Sequence, residues 1–126
     1  MRNRRALMKS GVALAILLAS VTTQVVTASP ASAAGTCPFT DTLCMWDQPD
    51  FNGASMNVLP LPPNPSACVN LVEHGWGNRV RSAINTSSKA AAMFQSDNCT
   101  GHPFLIEGNS QKPSITFAAN SVFVQR

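Results

Sequence analysis

The chain contains 126 residues, of which nine are Lys or Arg and six are Asp or Glu, giving a formal net charge of +3 at neutral pH. Four of the basic residues lie within the first nine positions, so the rest of the chain has a formal charge of −1. This length predicts a single domain, and the later part lacks the positive surface that nucleic acids and anionic membranes attract.

The N-terminal part predicts a secretory signal peptide over residues 1–33. A basic start containing Arg4 and Arg5 precedes the uncharged apolar run 11–21, and Ala31-Ser32-Ala33 has the small residues that a signal peptidase recognises. The apolar run is shorter than the roughly 20 residues of a transmembrane helix. Cleavage would release residues 34–126 as one secreted, extracellular domain with no membrane partner. The arginine pair leaves the twin-arginine export route open beside the general one.

Four cysteines lie after the signal peptide, at positions Cys37, Cys44, Cys68 and Cys99. An even number in an exported chain predicts two disulfide bonds, with three possible connectivities. We favour Cys37–Cys44, which ties the mature N-terminus to the first strand, and Cys68–Cys99, which joins the two halves. Zinc binding is the rival use of four cysteines, but no C-x-x-C pair is present. We therefore expect no metal and no cofactor.

Short β-prone segments separated by Gly, Pro, Asn and Ser follow one another from residue 42 to the end, and none has helical periodicity. The predicted strands are 42–47, 55–59, 67–71, 80–85, 91–95, 103–107, 114–117 and 122–125. Eight strands divided evenly predict an all-β sandwich of two Greek-key motifs, with repeat one at about 37–86 and repeat two at about 90–126. The segment 87–89 connects the two repeats.

A proline-rich segment separates the second and third predicted strands. Residues 59–65 read Leu-Pro-Leu-Pro-Pro-Asn-Pro. Proline fixes φ and has no N–H to donate to a sheet. The segment is therefore predicted to be a rigid, irregular loop on the surface.

One pattern occurs twice, because residues 45–53 align without a gap on residues 93–101. In each copy an aromatic residue is followed five positions later by a bulky apolar residue and two positions after that by glycine; these are Trp46, Phe51 and Gly53, then Phe94, Cys99 and Gly101. Ser82 and Ser121 occupy matching places at the closing strands. Such a repeat indicates that one supersecondary unit is used twice, and its glycine indicates a backbone with positive φ.

These positions resemble the βγ-crystallin motif, in which an aromatic residue, four residues, a second aromatic, one residue and a glycine open each unit. The first copy matches all three positions, whereas Cys99 replaces the second aromatic in the other copy. The resemblance implies a βγ-crystallin-like sandwich. It also implies that Ser82 and Ser121 hydrogen-bond the folded hairpins.

Within that superfamily the mature chain is similar to the small secreted peptidase inhibitors of actinobacteria, typified by the Streptomyces metalloproteinase inhibitor. The similarity rests on three short segments, namely residues 37–44 (CPFTDTLC), 68–71 (CVNL) and 99–101 (CTG). It implies a monomeric inhibitor whose partner is a secreted protease, with a metalloprotease favoured.

The proline-rich loop is the candidate inhibitory segment. It comprises Pro60, Leu61, Pro62, Pro63, Asn64 and Pro65, and Leu61 is the side chain expected to enter an apolar specificity pocket. A loop already held in its bound shape loses little entropy on docking. The alternative is a stiff strand connection without a partner.

Enzymatic function is not expected, since the chain lacks a G-x-S-x-G elbow, an H-E-x-x-H helix and a glycine-rich phosphate loop. Calcium binding is the other possibility that the βγ-crystallin resemblance implies, through segments 77–82 and 116–121. Arg81 stands where an oxygen ligand is needed, so we expect weak affinity or none.

A binding or structural module, recognising cell-wall or carbohydrate ligands or acting as a killer-toxin-like domain, is the alternative function. Trp76, between two glycines, is its candidate ligand-stacking residue if the ring is exposed. A buried plug beneath a glycine turn is the competing interpretation of this residue.

Overall fold

The structure is a computed structural model that describes residues 35–126, so the predicted signal peptide lies outside the described residues. Eight strands make up the fold of these residues, and a 3₁₀ turn at Pro49–Phe51 connects the first strand to the second. They are β1 Leu43–Gln48, β2 Asn52–Val58, β3 Ser66–Asn70, β4 Ser82–Asn85, β5 Ala91–Phe94, β6 Phe104–Ile106, β7 Ser110–Lys112 and β8 Ser121–Gln125. The predicted all-β class is confirmed. Within residues 35–126 no helix has the length and apolarity needed to cross a membrane.

Two four-stranded antiparallel sheets form the sandwich. The strand order is β2-β1-β4-β7 in one sheet and β3-β8-β5-β6 in the other. The first four strands and the last four thus each place their third strand in the sheet formed by the other set. This exchange interlocks the two halves, and it is the Greek-key arrangement that the even division of strands predicted.

The core lies between the two sheets and is built from alternate residues of the central strands. Leu43 and Met45 of β1 face Met93 of β5 and Val122 of β8 across the sandwich in one apolar cluster, each side chain 0–1% exposed. Cys44 and Trp46, which alternate with Leu43 and Met45 along β1, are also buried but do not belong to this cluster. Because side chains alternate across a strand, they lie on the outer face of the sheet, where another segment must cover them.

The two copies of the repeated pattern share a left-handed backbone at two matching positions. Phe51 and Cys99 have φ of 60° and 58°, and Gly53 and Gly101 have φ of 85° and 105°. A side chain at Gly53 would also overlap the carboxylate of Asp47. The glycine of the pattern is therefore required for its left-handed backbone and, in the first copy, for space.

A buried serine holds each hairpin. Ser82 Oγ donates to the carbonyl of Gln48 at 2.7 Å and accepts the N–H of Phe51 at 2.9 Å. Ser121 Oγ donates to the carbonyl of Ser96 at 2.6 Å and accepts the N–H of Cys99 at 2.8 Å. The same pair of hydrogen bonds thus fixes both folded hairpins.

One predicted strand is wrong. Residues 114–117 are irregular, and the seventh strand lies earlier, at Ser110–Lys112. Pro113 follows this strand and has no N–H to extend the ladder. The apolar residues that suggested a strand pack individually, because Ile115 is buried and Phe117 stacks on Phe104 with ring centroids 5.4 Å apart.

Both disulfide bonds have the favoured connectivity, and the described residues contain no free cysteine. Cys37–Cys44 closes a short loop before β1. Cys68–Cys99 joins β3 to the second hairpin. Cys99 stands where the first copy has Phe51, whose ring packs edge-on against Trp46 at 5.5 Å. The second hairpin thus has a covalent bond where the first has an aromatic contact.

Candidate functional site

The proline-rich loop joins β2 to β3 and exposes one large apolar side chain. Leu61 is 68% exposed, more than any other large apolar side chain in the described part of the chain. Pro60, immediately before it, is fully buried, and residues 62–65 are exposed. Leu61 therefore projects from a loop whose first proline is fixed in the protein.

Hydrogen bonds hold the shape of this loop. The N–H of Asn64 donates to the carbonyl of Leu61 at 2.9 Å, which closes a turn around the two central prolines. At the far end, Arg126 donates its backbone N–H to Pro65 and its Nε–H to the carbonyl of Asn64, both at 3.0 Å. Three residues beyond Pro65, the Cys68–Cys99 disulfide fixes β3. The loop is thus restrained at both ends and across its turn.

An apolar groove lies beside the start of the loop. It has a volume of 560 Å³ and is lined by Pro38, Phe39, Thr40, Thr42, Asn57 and Leu59. Phe39 and Leu59 are 51% and 44% exposed, and no lining residue carries a charge. With Leu61, these side chains give this end of the molecule three exposed large apolar residues.

The wall of the groove that carries Phe39 is held by a threonine from β4's end. Thr86 Oγ1 donates to the carbonyl of Phe39 at 2.7 Å and accepts the N–H of Thr42 at 3.0 Å. Thr42 Oγ1 in turn donates to the carbonyl of Thr40 at 2.7 Å. Together with the Cys37–Cys44 disulfide, these bonds fix the short loop against the sheet.

Sequence reasoning missed two parts of this surface. Arg126 was not connected with the loop, since the pairing of β8 with β3 brings the C-terminus to Pro65 only in three dimensions. Phe39 was read only as part of a family motif. Its place between two cysteines with a sequence separation of only 7 was an available signal, because so short a loop offers a phenylalanine little room to be buried.

Trp76 does not meet the condition set for a stacking residue. Its side chain is 8% exposed and belongs to the apolar core. The guanidinium carbon of Arg79 lies 4.6 Å from the ring centroid, in the geometry of a cation–π contact. The ring therefore acts as a buried plug, and the observation that would have favoured a carbohydrate-binding module is absent from this residue.

Guanidinium groups occupy the first segment that the resemblance connected with calcium. Arg81 donates to the carbonyls of Val80 and Asn78 at 2.9 and 3.0 Å. Arg79 donates to Asp47 at 3.0 Å, and this hydrogen bond lowers the pKa of the Asp47 carboxyl below its usual value. Oxygens that a divalent cation would need are thus already bonded to fixed positive charges.

In the second such segment, one polar side chain supports the neighbouring hairpin. Asn120 donates its side-chain amide to the carbonyl of Gln95 at 2.8 Å, so it serves the β5 hairpin. Among residues 35–126 there is no cluster of three or more His, Cys, Asp or Glu side chains that could hold a metal ion. His74 and His102, the two histidines, are both exposed.

Comparison with known proteins relates the chain to a family. The model of peptidase inhibitor family I36 matches residues 30–106 of the chain. That range includes the proline-rich loop and all four cysteines. Among curated proteins, the comparison found no significant match.

Solved structures of βγ-crystallin domains share the fold. A structure described as part of the evolution of the eye lens βγ-crystallin domain fold is similar with a TM-score of 0.59 and 18% identity, covering 73% of this chain and 93% of the other. A βγ-crystallin from Ciona intestinalis is similar with a TM-score of 0.51 and 18% identity, covering 68% and 99% of the two chains. At this identity the likeness establishes the fold alone.

Proposed function

Because the chain belongs to peptidase inhibitor family I36, we propose that it is a secreted inhibitor that blocks a peptidase cleft with the loop Pro60–Pro65. The observation that carries the proposal is Leu61, a 68% exposed apolar side chain on a loop held by Arg126 and followed by a disulfide-bonded strand. Inhibition would be reversible occlusion, without a covalent step.

The rigidity of the loop supports tight binding. Each flexible side chain or loop residue ordered on association costs free energy, and a loop already held in one shape avoids most of that cost. Here the Asn64–Leu61 turn and the two Arg126 hydrogen bonds hold the shape before any partner arrives. The two disulfides are consistent with an oxidising, extracellular environment for such a protein.

A metalloprotease is the proposed class of target, and the inhibitor would act as a monomer. The class rests on the similarity to metalloproteinase inhibitors and on the apolar character of Leu61, which suits an apolar specificity pocket. The mature domain would be residues 34–126, with repeats at about 37–86 and 90–126.

The test is a titration of the oxidised mature protein against thermolysin and representative serine and cysteine proteases. We expect stoichiometric inhibition of thermolysin, and Leu61→Asp should weaken it at least about 30-fold, the loss typical of removing a central apolar anchor. Leu105→Asp is the matched control, since Leu105 is also exposed, at 50%, but lies on β6 at the edge of the other sheet.

Three outcomes would count against parts of the proposal. Inhibition of a serine or cysteine protease instead would replace the metalloprotease class. Unchanged inhibition by Leu61→Asp would remove the loop. Failure to inhibit any class, with the protein itself remaining uncleaved, would contradict inhibition and favour a secreted binding module.

A further inference from the structure

The strand that leads into the loop has an unpaired edge of unusual character. β2 has seven residues, the most of any strand in the described part of the chain, and contains neither a charged residue nor a proline. It is an outer strand of its sheet, pairing only with β1 among the described strands. Proteins usually protect a free edge with charges, proline or a short strand, because exposed N–H and C=O groups pair readily with another chain.

The other edge strands among the described residues are shorter than β2. β6 and β7 have three residues each, and β7 ends in Lys112. β3 follows Pro65 and is disulfide-bonded through Cys68. β2 is therefore the longest free edge among residues 35–126.

The two copies of the repeated pattern differ at the edge strand that follows each of them. Residues 45–53 align on 93–101 with a constant offset. The same offset aligns Ser55 of the first copy with Pro103 of the second. Pro103 stands immediately before β6 and shortens that edge. Where the second repeat has a proline, the first repeat has Ser55, and the N–H of Ser55 therefore remains available in the middle of β2.

The register shows which backbone groups point outward. In antiparallel strands, successive residues direct their N–H and C=O alternately to the two sides. The N–H of Thr86 donates to the carbonyl of Thr42, so the even-numbered residues of β1 face β4 and the odd-numbered ones face β2. Leu43 and Met45 pair with Val58 and Met56.

Met56 and Val58 of β2 therefore direct their backbone groups to β1. In agreement, the N–H of Ala54 donates to the Asp47 side chain of that strand at 2.9 Å. The N–H and C=O groups of Ser55 and Asn57 then point to the open edge, whereas a register shift between Asn52 and Ser55 interrupts the alternation at Gly53.

This edge is continuous with the apolar groove. Asn57 of β2 and Leu59, one residue beyond the strand, form one side of the groove, and Phe39 lies on the segment that crosses the outer face of the sheet. Leu61 follows two residues later. An extended chain lying along β2 would thus run past the groove towards the candidate inhibitory loop.

We propose that an extended backbone segment of the target peptidase pairs with the open edge of β2 as a fifth strand and places an apolar side chain in the groove between Phe39 and Leu59. The occupant is a peptidase strand because peptidase clefts hold polypeptides in extended form, and a strand added to an edge is a general mode of such recognition. The uncharged edge and groove fit an uncharged, apolar segment. The proposal rests on the proposed function and extends its contact surface from one loop to a strand and a groove.

Proline at Ser55 tests the edge pairing directly. Ser55→Pro removes an outward N–H and leaves the ladder to β1 intact, as the tolerance of edge strands for proline allows. We expect it to weaken inhibition of the protease identified in the titration at least about tenfold, since two backbone hydrogen bonds around that position would be disturbed. Pro103→Ser, the reciprocal change at the matching position of the second repeat, should leave inhibition unchanged.

Amide hydrogen exchange provides a readout that does not depend on a substitution. In the free protein the amides of Met56 and Val58, which face β1, should exchange slowly and those of Ser55 and Asn57 quickly. In the complex with the protease, the latter two should become slow. This alternating protection is specific to strand addition, and burial under a loop alone would not produce it.

The outcomes separate this inference from the proposed function. If Leu61→Asp abolishes inhibition but Ser55→Pro retains it with unchanged exchange at the odd-numbered amides, the inhibitor function stands and the edge pairing is wrong. If the wild-type protein inhibits no protease, both fail. If the amides of Ser55 and Asn57 are already protected in the free protein and become exposed on dilution, the edge pairs with a second copy, which also overturns the proposal.

Discussion

Ser82 makes two structural hydrogen bonds with one buried hydroxyl. It is fully buried, it donates to Gln48, and it accepts the N–H of Phe51, a bulky residue whose φ of 60° is unfavourable without support. Removing the hydroxyl would leave a backbone N–H and a C=O without partners at a strained position. The cost of such unsatisfied groups exceeds the value of an average hydrogen bond.

We therefore expect Ser82→Ala to lower the free energy of unfolding by about 1–3 kcal/mol, which chemical denaturation monitored by tryptophan fluorescence would measure. Ser121→Ala should lower it by a similar amount at the second hairpin. Ser88→Ala, at an exposed serine in the connection between the repeats, is the control and should change stability by less than about 0.5 kcal/mol. Equal effects of all three substitutions would contradict the role assigned to the buried serines.

Among the elements, the sequence could predict the hairpins and strands that belong to the repeated pattern. The aromatic, glycine and serine positions recur at matched places, so the two hairpins and the Greek-key pairing followed from the pattern. The seventh strand did not, because Ile115 and Phe117 have strand-like composition but pack as single residues after Pro113. Composition signals burial, whereas a strand also needs a neighbour with free backbone groups.

The candidate site likewise has one part that the local sequence could predict and another that depends on contacts between distant residues. The rigidity of the loop could be inferred from its prolines, which act on their own backbone. The anchoring by Arg126 could not, since it joins Asn64 to a residue 62 positions away through the pairing of β3 and β8. The groove depends likewise on Thr86 holding the segment at Phe39, a contact between positions 47 residues apart.

The Arg126 anchor leads to a prediction about the loop as an element. Arg126→Ala removes the Nε hydrogen bond to Asn64 and leaves the backbone bond to Pro65, so the loop should remain in place but move more. We expect the inhibition constant to rise about 3- to 10-fold, the cost of ordering roughly one more side chain on binding.

Lys89→Ala is the control for this change. It also removes one positive charge, from an exposed residue in the connection between the repeats. The inhibition constant should stay within about twofold of the wild-type value. An equal rise for both variants would mean that charge, rather than the anchor, governs binding.

In the whole molecule, the two repeats are held together by exchanged strands, a tied connection and one disulfide. Ser87 Oγ, in the connection, donates to the carbonyl of Gln125 at 2.7 Å, and Asn85 Nδ2 donates to the carbonyl of Lys89 at 2.9 Å. Cys68–Cys99 then joins β3 of the first repeat to the hairpin of the second. Cys37–Cys44 lies within one repeat and closes a much shorter loop.

The two disulfides should accordingly differ in their effect on stability. Their sequence separations are 31 and 7 residues, so the chain-entropy model assigns them about 3.7 and about 2.4 kcal/mol respectively. Replacing Cys68 and Cys99 with alanine should therefore lower the free energy of unfolding by more than replacing Cys37 and Cys44, as measured by urea denaturation under oxidising conditions. The Cys37–Cys44 double variant should instead affect binding, because its loop carries Phe39 at the groove. A larger stability loss from the short loop would mean that the outer covering of Trp46 and Cys44, and not the link between repeats, limits the stability of the fold.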